Sequence, residues 1–138
     1  MKCNFGVGLV LSLIMAAGCG SEKKPLSEAD AAIQSRTEGL NEVGSLLTLY
    51  KGDHKKAPAK AQDLARYEPG LPIGYQRIKS GDVVVMWGAP VVEGGEQSVL
   101  AYEKSAPESG GYVLMQDGAT VKEMTSEEFK AAPKAGKG

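Results

Sequence analysis

Residues 110–123 read Gly-Gly-Tyr-Val-Leu-Met-Gln-Asp-Gly-Ala-Thr-Val-Lys-Glu and contain two β-prone segments on either side of a turn. The first segment, residues 112–115, is aromatic and aliphatic, and the second begins at Thr120. Asp117-Gly118 lies between them and is a strong hairpin signal, because both residue types tolerate the positive φ angles of a tight turn. The stretch therefore predicts a hairpin whose last strand covers residues 120–123.

Further strands are predicted on the N-terminal side of this hairpin. Residues 98–103, Ser-Val-Leu-Ala-Tyr-Glu, and residues 82–87, Asp-Val-Val-Val-Met-Trp, are rich in residues that favour strands. Tyr75-Gln76-Arg77-Ile78 alternates apolar and polar residues, and Ser80-Gly81 is a turn signal. We therefore expect residues 75–78 and 82–87 to form a first hairpin, and the whole second half to form an antiparallel sheet of four or five strands.

One long helix is predicted before the sheet. Ser27-Glu28-Ala29-Asp30 resembles a capping box, in which a hydroxyl accepts from first-turn amides and a carboxylate follows three residues later. Gly39 and Gly44 each weaken the helix by up to about 1 kcal/mol, so the helix needs a surface to pack on. Gly52 is the expected C-terminal stop. The apolar side chains of this segment share one stripe: Ile33, Leu40, Val43, Leu47 and Tyr50.

Two interpretations of this apolar stripe are open. It is either an interaction face, a coiled-coil seam that pairs two chains through Ile33, Leu40 and Leu47, or the face that lies on the protein's own sheet. The stripe is shorter than four heptads and contains two glycines, which favours the second interpretation.

The remaining elements are expected to be short. Residues 60–67 predict one helical turn, anchored by Leu64 and Tyr67. Thr125-Ser126-Glu127-Glu128 is a second capping box and predicts a short helix through Phe129. One domain is therefore expected over residues 27–131, followed by a disordered tail over residues 132–138.

A long helix followed by antiparallel strands predicts an α+β fold. Four segments resemble the globular part of type II secretion pseudopilins, and more narrowly the pilin-like proteins abundant in planctomycetes: Leu46-Leu47-Thr48-Leu49-Tyr50, the proline-containing loop with Asp63-Leu64, residues 99–103 and residues 112–118. The resemblance covers residues 29–129 and implies a helix packed on a sheet and a role in a secretion or pilus-like assembly. The sequence lacks the apolar helix of about twenty residues that begins a pseudopilin, so a filament subunit is not expected.

The N-terminal segment has the parts of a lipoprotein signal. Lys2 is followed by the apolar residues 6–15 and then by Ala16-Ala17-Gly18-Cys19, which resembles the lipobox of bacterial lipoproteins. The resemblance implies that residues 1–18 are removed and that Cys19 carries a diacylglycerol, with residues 19–26 as a linker. The alternative is an ordinary signal peptide cut near Ala17. The resemblance implies a membrane-anchored envelope protein. Gly20 stands where many lipoproteins held in an inner membrane have aspartate, so the resemblance further implies delivery to the outer membrane.

The sequence favours no enzymatic function. The formal net charge is −1, so nucleic acid is not an expected partner. His54 is the one histidine and stands among charged loop residues, and no serine stands in a nucleophile elbow. Asp117 is a weak candidate for calcium, because a hairpin turn explains it without a metal. No cofactor is expected other than the lipid on Cys19.

We expect a lipid-anchored, non-enzymatic envelope protein that binds another protein. One alternative is a small periplasmic ligand- or calcium-binding module that uses the loops at residues 91–97 and 107–111. Another is a homodimer formed through the helix.

Overall fold

The computed structural model describes residues 25–136, and it confirms the predicted α+β fold, a long N-terminal helix packed on a four-stranded antiparallel sheet. The elements in chain order are α1 (Glu28–His54), a 3₁₀ helix (Ala61–Tyr67), α2 (Pro72–Ser80), β1 (Val83–Val85), β2 (Val99–Glu103), α3 (Ala106–Ser109), β3 (Gly111–Met115), β4 (Val121–Met124) and α4 (Ser126–Ala131).

The sheet is an antiparallel meander with the strand order β1-β2-β3-β4. Val84 pairs with Tyr102, and Tyr102 also pairs with Val113 on its other side. The hairpin predicted at Asp117 joins β3 to β4, with Val113 opposite Lys122. The register shifts between Val99 and Ala101, so β2 contains an irregularity close to its first residue.

Both faces of the sheet are covered, which explains why every residue of β3 is buried. Tyr112 and Leu114 belong to the larger apolar cluster, which includes the buried side of α1. Val113 and Met115 point to the opposite face and form a second cluster with Phe129 of α4. Thr125 and Glu128 form the complete reciprocal capping box predicted at the start of α4.

The start of α1 is as predicted, but its end is not. The Ser27 hydroxyl accepts a hydrogen bond from the Asp30 amide and donates one to the Asp30 carboxylate. The helix does not stop at Gly52. It continues to His54 and ends at Lys55, which has a left-handed conformation with φ 58° and whose amide donates to the Lys51 carbonyl.

The glycines inside α1 mark places where other elements approach the helix closely. A Cβ on Gly44 would lie 2.1 Å from the carbonyl oxygen of Gly118 in the β3–β4 turn, and one on Gly39 would lie 2.6 Å from the Arg77 side chain. Gly52 has no such neighbour. Gly39 and Gly44 lower the helix propensity of α1, but they allow α2 and the β3–β4 hairpin to pack closely against it.

The prediction of a strand at residues 75–78 was wrong, because these residues belong to α2. Pro72 occupies the first turn, where its fixed φ angle suits a helix, and Gly81 caps the C-terminus with φ 85°. Tyr75 and Ile78 are both buried. Their spacing of three residues places both side chains on one face of a helix, whereas in a strand they would point to opposite faces, so the interpretation of these four residues as alternating was the error.

The helical turn predicted at residues 60–67 is the 3₁₀ helix. Leu64 is fully buried and Tyr67 packs on the edge of the core, as expected. The Asp63 carboxylate accepts from the amides of Ala59 and Lys60, which fixes the start of this turn.

The prediction of a disordered tail was wrong for residues 133–136. The Val99 amide donates to the Pro133 carbonyl, and the Ala135 amide donates to the Val99 carbonyl, so the tail forms a parallel bridge with the start of β2. Ala135 is buried, and the Lys134 ammonium donates to the carbonyls of Phe129 and Ala132 at the end of α4. The folded domain therefore extends beyond the predicted boundary at residue 131.

Candidate functional site

Most of the predicted interaction face of α1 lies inside the protein. Leu40, Val43, Leu47 and Tyr50 are at most 6% exposed and belong to the core that α1 forms with the sheet and α2. Ile33 is the exception, at 44% exposed. The prediction that this stripe is an interaction face for a second chain was therefore wrong for these four residues, because their side chains already pack against the protein's own strands and helices.

The predicted lipidation site, Cys19, lies outside the described residues. The described chain begins six residues later, and residues 25–35 are all exposed. This segment includes the first two turns of α1, which stand clear of the core. Arg36 is the first residue of α1 that forms a hydrogen bond to the sheet, through Glu103 of β2.

The Asp117 carboxylate is committed to the β3–β4 turn. Its oxygens accept from the amides of Ala119 and Thr120 and from the Thr120 hydroxyl. Burial opposes ionisation, but these hydrogen bonds hold the pKa of Asp117 below its ordinary value. Within residues 25–136, no group of three or more His, Cys, Asp or Glu side chains is placed to hold a metal ion.

The two loops of the predicted ligand-binding module lie at opposite ends of the sheet. The Val92 amide donates to the Gln116 carbonyl, which places residues 91–97 beside the β3–β4 turn. Pro107 lies in α3, between the end of β2 and the start of β3. Because β2 runs from the first end to the second, these loops do not form one site.

Within residues 25–136, the aromatic residues and the histidine do not form a shared patch. Tyr75 and Tyr112 are buried, and Tyr102 packs on Phe129 across the other face of the sheet, with ring centroids 4.7 Å apart. His54 is exposed in the last turn of α1 and stacks on Tyr50 at 4.3 Å.

A buried carboxylate at the end of β2 joins three elements. Glu103 is 4% exposed. Its Oε1 accepts from Arg36 Nε at 2.9 Å and from Arg77 Nη2 at 3.2 Å, and its Oε2 accepts from Arg36 Nη2 and from the Tyr112 amide at 2.8 Å. Arg77 Nη1 also donates to the Arg36 carbonyl at 3.1 Å. The cluster therefore ties α1 and α2 to the sheet.

The electrostatics of this cluster favour a permanent ion pair. Burial alone would raise the pKa of Glu103, but the hydrogen bonds from Arg36 and from the Tyr112 amide outweigh it and hold this pKa below its ordinary value. The hydrogen bond to Glu103 in turn raises the pKa of Arg36. A carboxylate that stays ionised and already accepts four hydrogen bonds is poorly suited to general acid or base catalysis.

Two open polar clefts flank Arg36, which is 41% exposed. One, of about 550 Å³, is lined by residues that include Asp82, Lys104 and Glu108. The other, of about 540 Å³, is lined by residues that include Ser109 and Glu123. Both clefts are lined by side chains of both charges, so neither presents a single charge to a ligand. The sequence gives no signal for this arrangement, since Arg36 and Glu103 are 67 residues apart.

A third cleft, of about 520 Å³, is formed mainly by apolar and small residues. Its floor is the outer face of α1 at Ser45, Thr48 and Leu49, and its walls are Gly70-Leu71 and Gly118. Leu49 is 47% exposed. Sequence reasoning placed Leu49 within the pilin-like segment but did not identify it as a surface residue.

Comparisons with protein-family models, with curated proteins and with solved structures find no match for this chain. In the part of the chain from residue 25 to residue 136, no helix has the length and apolar character needed to cross a bilayer.

Proposed function

We propose that this protein is a lipid-anchored, non-enzymatic component of the cell envelope whose α+β domain acts by binding another protein. The observation that carries the proposal is the sequence Ala16-Ala17-Gly18-Cys19 directly after an apolar run. A lipid on Cys19 would attach the domain to a membrane without a membrane-spanning helix.

The exposed start of α1 supports this proposal. Residues 28–35 add eight residues of helix between the linker and the core, a rise of about 12 Å. The Ser27 cap satisfies a first-turn amide of this segment. Such a segment would act as a stalk that holds the domain away from the membrane surface and leaves its sides accessible to a partner.

The ionised Glu103 cluster supports the non-enzymatic part of the proposal. Catalytic acids and bases need a pKa near the working pH and access to a substrate. The Glu103 carboxylate has a lowered pKa and accepts hydrogen bonds from three residues. Its arrangement suits a structural joint between α1, α2 and the sheet.

Membrane fractionation tests the anchor. The protein is expressed in its own host as wild type, as Cys19→Ser and as Cys3→Ser, the last being a matched control because Cys3 lies within the segment to be removed. We expect wild type and Cys3→Ser in the membrane fraction and Cys19→Ser in the soluble fraction. Membrane retention of a Cys19→Ser chain that has lost residues 1–18, equal to the retention of wild type, would reject the lipid anchor.

A further inference from the structure

The first turns of α1 have few contacts that would hold them in a helix. Residues 25–35 are all exposed, and Leu40 is the first fully buried side chain of α1. Among residues 25–38 of the described chain, the hydrogen bonds to other elements all involve Arg36. An isolated helix of fewer than about 12 residues is marginal in water. The helical state of the stalk, residues 28–35, therefore depends on the turn that follows it.

That turn contains a weak point at Gly39. Glycine has a low helix propensity, because it loses more backbone freedom on folding than other residues. The Arg77 side chain of α2 lies against this glycine, since a Cβ on Gly39 would be 2.6 Å from Arg77 Cδ. Arg77 donates from Nη1 to the Arg36 carbonyl of α1 and from Nη2 to the Glu103 carboxylate of β2. The absence of a side chain at Gly39 thus allows Arg77 to bind α1 and the sheet at once.

Arg36 completes this arrangement from the helix side. Its Nε and Nη2 donate to the two oxygens of Glu103, and its guanidinium lies 4.8 Å from the centre of the Tyr112 ring. Charge-assisted, bidentate hydrogen bonds of this kind fix the orientation of both side chains. The Glu103 cluster therefore holds α1 on the N-terminal side of Gly39, while burial of Leu40 holds it on the C-terminal side.

We propose that the Glu103 cluster is a lock on the stalk. While its hydrogen bonds are intact, α1 continues as one helix from the core to the Ser27 cap, and when they are lost, the segment before Leu40 unfolds into a flexible tether. A helical stalk fixes the direction in which the domain points from a membrane, whereas a flexible tether leaves the domain free to rotate. The role of the stalk at a membrane rests on the proposed lipid anchor, but the change from helix to tether is a property of the domain alone.

Amide hydrogen exchange measured by mass spectrometry tests the proposal on the protein purified in detergent from its own host. Glu103→Gln removes the charged acceptor. Arg77→Gln removes the donor to the Arg36 carbonyl and keeps the pair between Arg36 and Glu103, so it carries the test if Glu103→Gln does not fold. Gly44→Ala is the matched control, because its Cβ would lie 2.1 Å from the Gly118 carbonyl oxygen and should destabilise the domain without touching the cluster. Circular dichroism melting shows which variants fold.

In wild type, we expect the amides of residues 33–38 to exchange at least about tenfold more slowly than those of an unstructured chain. Glu103→Gln should reduce this protection about tenfold and Arg77→Gln about threefold, because each variant loses hydrogen bonds that fix the turn at Gly39. Gly44→Ala should change the protection of residues 33–38 less than about twofold, because the stalk opens locally and not with the whole domain.

Three results would overturn the proposal. The first is a wild type in which residues 33–38 exchange as fast as an unstructured chain. The second is unchanged protection of these residues in the folded variants of the cluster. The third is an equal loss of protection in Gly44→Ala, which would show that the stalk opens only when the whole domain unfolds. None of these results bears on the lipid anchor, since fractionation of Cys19→Ser reports on the anchor independently of Glu103.

Discussion

Replacing two glycines of α1 with alanine should change stability in opposite directions. A Cβ at position 44 would lie 2.1 Å from the Gly118 carbonyl oxygen, whereas ordinary van der Waals contact begins at 3.4 Å. The β3–β4 turn must therefore move away from the helix. We assign this overpacking a cost of about 3 kcal/mol, offset by about 1 kcal/mol of helix propensity, so Gly44→Ala should lose about 2 kcal/mol.

Gly52→Ala is the matched control, because it places the same methyl group on the same helix with no atom within 4 Å. Propensity alone then acts, and Gly52→Ala should gain about 0.5 kcal/mol. Urea unfolding of wild type and both variants, followed by the fluorescence of the single tryptophan, Trp87, measures the two free energies. Our reasoning would be refuted if Gly44→Ala were as stable as Gly52→Ala, since the turn would then not rest on α1.

Three further predictions concern other contacts of the domain. Glu103→Gln should cost about 3 kcal/mol at pH 7, because it removes the charged acceptor of two arginines and of the buried Tyr112 amide. The pKa of Glu103 is lower in the folded state than in the unfolded state, so its contribution to stability is present above the unfolded pKa of about 4.3 and is lost as the pH falls through the folded pKa. Urea unfolding should therefore show that the difference in stability between wild type and Glu103→Gln narrows below about pH 4. An equal difference in stability at about pH 3 and pH 7 would contradict this. Thr125→Ala should cost about 1 kcal/mol in the same assay through loss of the α4 cap, with a loss below 0.3 kcal/mol counting against the capping box. Deletion of residues 133–138 should lower the melting temperature, because it exposes the start of β2 and removes the buried Ala135, and an unchanged melting temperature would mean that the tail does not contribute to the fold.

The elements that the sequence predicted correctly are those with strong local signals. Ser27 and Thr125 start their helices through side-chain caps, and Asp117-Gly118 closes its hairpin through short-range hydrogen bonds. Such signals act within three or four residues, so they can be read without knowing the fold.

The errors occurred where tertiary contacts decide the outcome. Residues 75–78 have apolar side chains three positions apart, which matches one helical turn, and burial of Tyr75 and Ile78 in the same core is consistent with the helix. The tail has a composition typical of disorder, but its backbone pairs with Val99, a contact between residues far apart in sequence. In the candidate site, the helical spacing of its apolar residues predicted the apolar stripe of α1. The Glu103 ion pair and the cleft at Leu49 could not be predicted, because each brings together residues far apart in the sequence.

The most direct test of the central claim is the intact mass of the protein purified from the membranes of its own host. A chain that lacks residues 1–18 and carries a diacylglycerol-sized addition on Cys19 is the predicted result. A chain that retains residues 6–15, or one cut near Ala17 with an unmodified Cys19, would contradict the claim that this domain is held in the envelope by a lipid.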